Sequence, residues 1–142
     1  MVDVSTKPAT LREAVARGRI RIAPAALRLL RAGRLPKGGV IETARLAGIL
    51  AAKRTGDVIP LCHPLPLTHV DVDLLPRRDG FAIVARVRTE ARTGAEMEAL
   101  HAVAVAALTV YDMVKAADRT MVITDIVLVK KTGGKSGEYR RG

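Results

Sequence analysis

The sequence predicts an α+β domain, and three observations carry that prediction. Strand-like alternation recurs in separate stretches, two of these stretches are joined by a short turn and must be antiparallel, and the segments between them carry helical spacing. With 142 residues and 49% hydrophobic content the chain can build a single core, so one domain over 1–142 is expected, with 1–13 and 131–142 read as flexible ends.

The first dozen residues have little periodicity, and regular structure is expected from about Ala14. Ile20 and Ile22 then alternate with Arg19 and Arg21, the pattern of a strand with one buried face. Pro24 suits the first turn of a helix that runs through Leu30 and stops at Gly33. Beyond a basic loop, Arg34 to Gly39, the spacing of Ile, Leu and Ala from Ile41 to about Lys53 predicts a second helix. Gly56 is its expected stop, and Lys53 and Arg54 stand at its end.

The run from Val58 to Leu67 holds Pro60, Pro64 and Pro66, which excludes a helix interior and most central strands. A fixed irregular segment is expected there, and such loops commonly carry functional groups. Val70, Val72 and Leu74 alternate with polar neighbours, and after a turn at 76–80 Phe81, Ile83 and Val87 continue the alternation, giving a hairpin. Residues 94 to about 118 form the longest helical pattern, with Met97, Leu100, Ala104, Leu108 and Tyr111 in register. A strand from Met121 to Val129 and a glycine-rich basic tail complete the chain.

Twenty-four Lys and Arg against 14 acids give a net charge of +10, which implies attraction to nucleic acid, a membrane surface or phosphorylated small molecules. Aromatic residues are 2% of the chain, too few for base-stacking platforms, so small phosphates are favoured over a nucleic-acid-binding module. No apolar run approaches the ~20 residues of a bilayer span and no leader pattern opens the sequence, so no membrane association and a cytoplasmic location are expected. Cys62 is the only cysteine, which rules out an intrachain disulfide. The lack of Asn and Gln and the preference for Arg point to a thermophilic source.

Several residues are candidates for chemistry. His63, held between Cys62 and Pro64, has little freedom and can keep one proton-transfer geometry, although the same run also suits a plain structural turn. A metal site built on Cys62, His63 and His69 is disfavoured, because adjacent residues rarely ligate one ion and no second paired cluster exists. Glu96 and Glu98 fall in the first turn of the long helix, where they complement its dipole. Asp112 and Lys115, three apart, share a face and form either a surface pair or an acid/base couple. Thr132-Gly-Gly-Lys-Ser136 is not a P-loop, since Val129 stands where its first glycine belongs. Its amides, with Lys131 or Lys135, can still wrap a phosphate in company with Lys37, Lys53 and Arg54.

Four segments taken together, 53–65, 93–100, 107–115 and 133–137, closely resemble the molybdenum-cofactor biosynthesis protein C family, and the likeness runs from Met1-Val-Asp-Val-Ser5 almost to the end. The resemblance implies a ferredoxin-like fold, an antiparallel sheet with helices on one face, assembled as a hexamer, a trimer of dimers. It implies conversion of 3′,8-cyclo-7,8-dihydroguanosine 5′-triphosphate into cyclic pyranopterin monophosphate with loss of diphosphate. It places Asp112 as the active-site acid with Lys115 beside it, and Leu61, Cys62, His63, Met97 and Glu98 at the substrate. Lys37, Lys131 and Arg12 match basic residues of the family pocket. No resident cofactor is expected, and Mg²⁺ can accompany the triphosphate. A structural oligomer without catalysis is the remaining alternative.

Geometry adds an expectation of its own. Glu98 and Asp112 lie on one helix about 21 Å apart at 1.5 Å per residue, too far to share a small substrate. If both serve one site, two such helices must run antiparallel across a two-fold axis and place Glu98 of one chain near Asp112 of its neighbour.

Overall fold

The computed structural model describes residues 1–142. It has five strands and four helices in the order β1 (Thr10–Arg21), α1 (Pro24–Arg31), α2 (Val40–Lys53), α3 (Thr55–Val58), β2 (Leu67–Arg77), β3 (Gly80–Ala91), α4 (Glu96–Val114), β4 (Val122–Thr132) and β5 (Tyr139–Arg140). All strand pairs are antiparallel in the order β2-β3-β1-β4-β5, and the helices cover one face, the α+β architecture the sequence predicts.

Alternation builds the sheet. Ala14, Ala16 and Ile20 of β1, Ile83, Ala85 and Val87 of β3, and Val72 and Leu74 of β2 point to one side and are buried, while charged neighbours occupy the other. Against the buried side pack α2 and α4, through Ala44 and Ala52 of one and Ala99, Ala102, Val103, Ala106 and Val110 of the other. Small residues let the helices approach closely. A β-carbon on Gly48 would stand 2.9 Å from the Ala102 carbonyl oxygen, so the closest crossing of α2 over α4 requires glycine. By length and apolarity α4 would also pass as a membrane span, yet half of that window is buried in this fold.

Several boundaries differ from expectation. β1 starts at Thr10, not near Ala14, because its first residues pair with the end of β3, Thr10 opposite Ala91. The tail is not free of regular structure either, since β4 continues to Thr132 and β5 returns to pair with Lys130 and Lys131. The irregular run narrows to 59–66, because Thr55–Val58 closes a short helix through Gly56 and β2 begins at Leu67. Pro76 lies inside β2, which an edge strand tolerates because its outer backbone groups have no partner. The hairpin turn is therefore Arg78-Asp79. Gly80 follows with φ 147, and a β-carbon there would collide with the Ile20 carbonyl. The long helix ends at Val114, short of Asp118. Asp118 turns inward instead, accepting hydrogen bonds from the Ala23 amide at 2.7 Å and from Thr120, and so caps α1 from a distant part of the chain.

Candidate active site

Helix α4 carries a charged cluster at each end. At its C-terminal end Asp112 accepts from Lys115 at 2.7 Å through one oxygen and from Lys37 at 2.5 Å through the other. The i, i+3 spacing puts Lys115 on the face of Asp112. Lys37 comes from the loop between α1 and α2, where Gly38, with φ 78, allows the chain to turn back into α2. These two ammonium groups hold the Asp112 carboxyl down at about 2, Lys115 more strongly than Lys37. All three side chains are about half exposed, so the cluster is open to a ligand.

The other end has the opposite character. Glu98 is 1% exposed, and burial raises its carboxyl above the ordinary glutamate range. Its Oε1 accepts from the Cys62 thiol at 3.8 Å, while Oε2 has no partner. Burial, then the neighbouring Glu98, push the Cys62 thiol up as well. Glu96 folds back over Gly94, where any side chain would collide with its carboxylate. Met97 and Leu61 are exposed beside them, Leu61 at 72%. His63 lies half-buried between two shallow cavities of about 290 and 270 Å³, both bordered by Arg92. The first five residues line the smaller one, and Arg92 donates to the Ser5 carbonyl at 2.9 Å.

The predicted basic residues separate. Lys37 sits with Asp112, whereas Lys53 stands at the far end of α2 and borders a third cavity of about 310 Å³ with Leu65, Leu67 and His69. Arg54 caps α2 beside it. Lys131 reaches Ser136 across the glycine-rich loop, and Lys135 is exposed at the tip of that loop. Arg12 has a bracing role in this arrangement. It donates to the carbonyls of Ala91 and Arg92 at 3.0 and 3.2 Å, and Gly133 and Gly134, with φ of 90 and 75, pack directly on it. A β-carbon on Gly134 would lie 2.3 Å from its guanidinium. Arg12 thus joins the start of β1, the approach to α4 and the Lys131–Lys135 loop.

Cys62, His63 and His69 do not converge on a common point, and no group of three or more His, Cys, Asp or Glu side chains does so elsewhere. Residues that the sequence reading passed over include His101, one turn beyond Glu98, and Thr55, whose hydroxyl it contacts at 3.0 Å. The i+3 spacing from Glu98 was the available signal for His101.

An antiparallel sheet backed by two long helices, with polar clusters where helix ends meet loops, defines a small α+β enzyme. The MoaC family profile matches residues 1–134, and the chain belongs to that family. It is 60% identical over 143 residues to a protein of Thermomicrobium roseum, covering 99% of this chain and 86% of that one. It is 61% identical over 142 residues to one of Roseiflexus castenholzii, covering 97% and 89%, and 57% identical over 141 residues to one of Nostoc sp., covering 98% and 84%. All three relatives are named cyclic pyranopterin monophosphate synthase.

Proposed function

We propose that the chain makes cyclic pyranopterin monophosphate, the product in its relatives' name, from 3′,8-cyclo-7,8-dihydroguanosine 5′-triphosphate with release of diphosphate, a step of molybdenum-cofactor biosynthesis. The observation that carries this reading is the Lys37–Asp112–Lys115 cluster. Opening a purine and rebuilding it as a pterin needs several proton transfers, and cyclising the phosphate needs cations around the departing charge. With its carboxyl held near 2, Asp112 is ionised at neutral pH and acts as acceptor and orienter. The flanking ammonium groups are the proton donors. Lys131, Lys135, Lys53 and Arg54 supply positive charge for the triphosphate, which Mg²⁺ can accompany, and the Leu61–His63 loop with Glu96, Met97 and Glu98 holds the remainder of the substrate.

The two clusters act together only across a subunit boundary. Between Glu98 and Asp112 helix α4 carries no charged residue, yet Leu108 is 58% exposed, as expected of a helix face that another chain covers. Antiparallel packing of two such helices builds two composite sites per dimer, and three dimers give the hexamer. The same reading places the enzyme in the cytoplasm of a thermophile.

The test is diphosphate release and pterin formation from the cyclised substrate, with Asp112→Asn and Lys115→Ala in parallel. Both products from wild type and neither from the variants supports the reading. A folded, oligomeric wild type without turnover would leave a binding protein on an enzyme's scaffold.

A further inference from the structure

The segment from Thr55 to Pro64 is a compact loop that closes on itself. The Ile59 amide donates to the Thr55 carbonyl at 2.9 Å, and the Cys62 amide donates to the Ile59 carbonyl at 3.1 Å. Gly56 packs against Pro64 so tightly that a β-carbon would stand 3.1 Å from Pro64 Cα. Helix α4 touches this loop at two points. Glu98 meets Cys62 near one end, and His101, three residues further along the same helix, meets Thr55 at the other.

The Thr55 contact anchors the imidazole. Thr55 is 1% exposed, and its hydroxyl lies 3.0 Å from the Ala51 carbonyl oxygen and 3.0 Å from His101 Nδ1. The Ala51 carbonyl also accepts from the Arg54 amide at 3.1 Å, so the Thr55 hydroxyl can bond Nδ1 as donor or as acceptor. Either way the contact is a buried clamp between α4 and the start of the loop.

We propose that His101 is a positioning residue, whose Nδ1 grips the Thr55 hydroxyl so that α4 holds the 55–64 loop at both ends and presents Cys62 and His63 in one geometry. Successive turns of a helix lie about 5 Å apart and do not slide relative to each other, so two contacts one turn apart fix both position and tilt of the loop. Thr55 also adjoins Arg54, which ties the end of α2 to the same anchor. This assignment rests on the reading that the Cys62–His63 loop meets the substrate, but the geometry it predicts is measurable without substrate.

Cys62 is the only cysteine in the chain, so its alkylation by iodoacetamide reports on this loop alone. His101→Phe keeps a ring and removes the nitrogen that bonds Thr55, and alkylation should quicken roughly threefold or more as the loop opens locally. His101→Asn, whose amide can occupy the place of Nδ1, should return the rate to near wild type. Ile20→Val, a core deletion in β1, should leave it unchanged. With substrate, His101→Phe should raise KM more than it lowers kcat. The proposal is overturned by a wild-type alkylation rate in both His101→Phe and Thr55→Val, or by Ile20→Val accelerating the reaction equally. If the Phe variant does not fold, the Thr55→Val rate decides.

Discussion

The two ends of α4 carry carboxyl groups shifted in opposite directions. Asp112, near the C-terminus, stands in water between two ammonium groups, and its carboxyl is held at about 2. Glu98, in the first turn, is buried, has no cation within reach, leaves one oxygen unpartnered, and has its carboxyl pushed up. The helix dipole alone predicts the reverse, since it favours a negative charge at the N-terminal end by about 0.3–1 kcal/mol and opposes one at the other. Burial overrides it at Glu98, and two counter-charges override it at Asp112. Position on a helix is thus a weaker determinant of ionisation than what the tertiary fold brings alongside.

That contrast is broken most severely at Asp112. Replacing it with Asn should keep the fold, because the side chain is exposed, while lowering turnover roughly 10²–10⁴-fold in the diphosphate assay. Retained activity would remove the lysine-flanked carboxylate from the chemistry. Mixing inactive Glu98→Ala and Asp112→Asn chains under conditions of subunit exchange sharpens the comparison. Composite sites predict recovery of about a quarter of wild-type activity by random pairing in dimers, and no recovery with exchange verified would confine each site to one chain.

Gly48→Val strikes the middle of α4 rather than either end. By forcing the Ala102 contact apart it should cost ~1–3 kcal/mol, measurable by denaturant unfolding, and disturb both clusters alike.

A smaller effect is expected from Glu98→Gln. A carboxyl whose pKa is raised on folding carries no penalty below the unfolded value of 4.5, and stability then declines as pH rises through 4.5 toward the folded pKa. The Gln variant should therefore melt above wild type at pH 7 and show a flatter stability profile over that range, even as substrate affinity falls.

The smallest effect is at the exposed end. A lowered carboxyl contributes stability that is complete above 3.8 and lost as pH falls through about 2. NMR titration should place the Asp112 midpoint near 2 in wild type and higher in Lys115→Ala, with melting at neutral pH barely changed. An unshifted midpoint in that variant would mean that Lys115 does not pair with Asp112 in solution.

How much of this was legible in the sequence depended on whether the signal was local. The β2–β3 hairpin, α2 and α4 were readable because period and turn chemistry lie within a few residues of each other. β1 was half hidden, since Glu13 and Arg17 face the uncovered side, Arg12 puts a charge in register with the buried face, and Ala14 and Ala16 bury little apolar surface. What makes it the central strand is pairing with β3 and β4. Asp118 read as the end of a helix and proved to be the cap of another, 95 residues away.

The candidate site divides in the same way. The sequence by itself determined the inventory and the roughly 21 Å separation of Glu98 from Asp112, because residue types and helical rise are fixed by the chain. It grouped Lys53 and Arg54 with Lys37 and Lys131 by charge, the latter two also by the family resemblance. Only the tertiary structure decided that Lys37 closes on Asp112 while Lys53 borders the cavity beside His69 and Lys131 reaches Ser136, that Arg12 braces the glycine-rich loop, and that His101 holds Thr55. Such contacts join segments far apart in the chain, 79 residues between Arg12 and Ala91, and depend on strand order and helix packing, which no local pattern encodes.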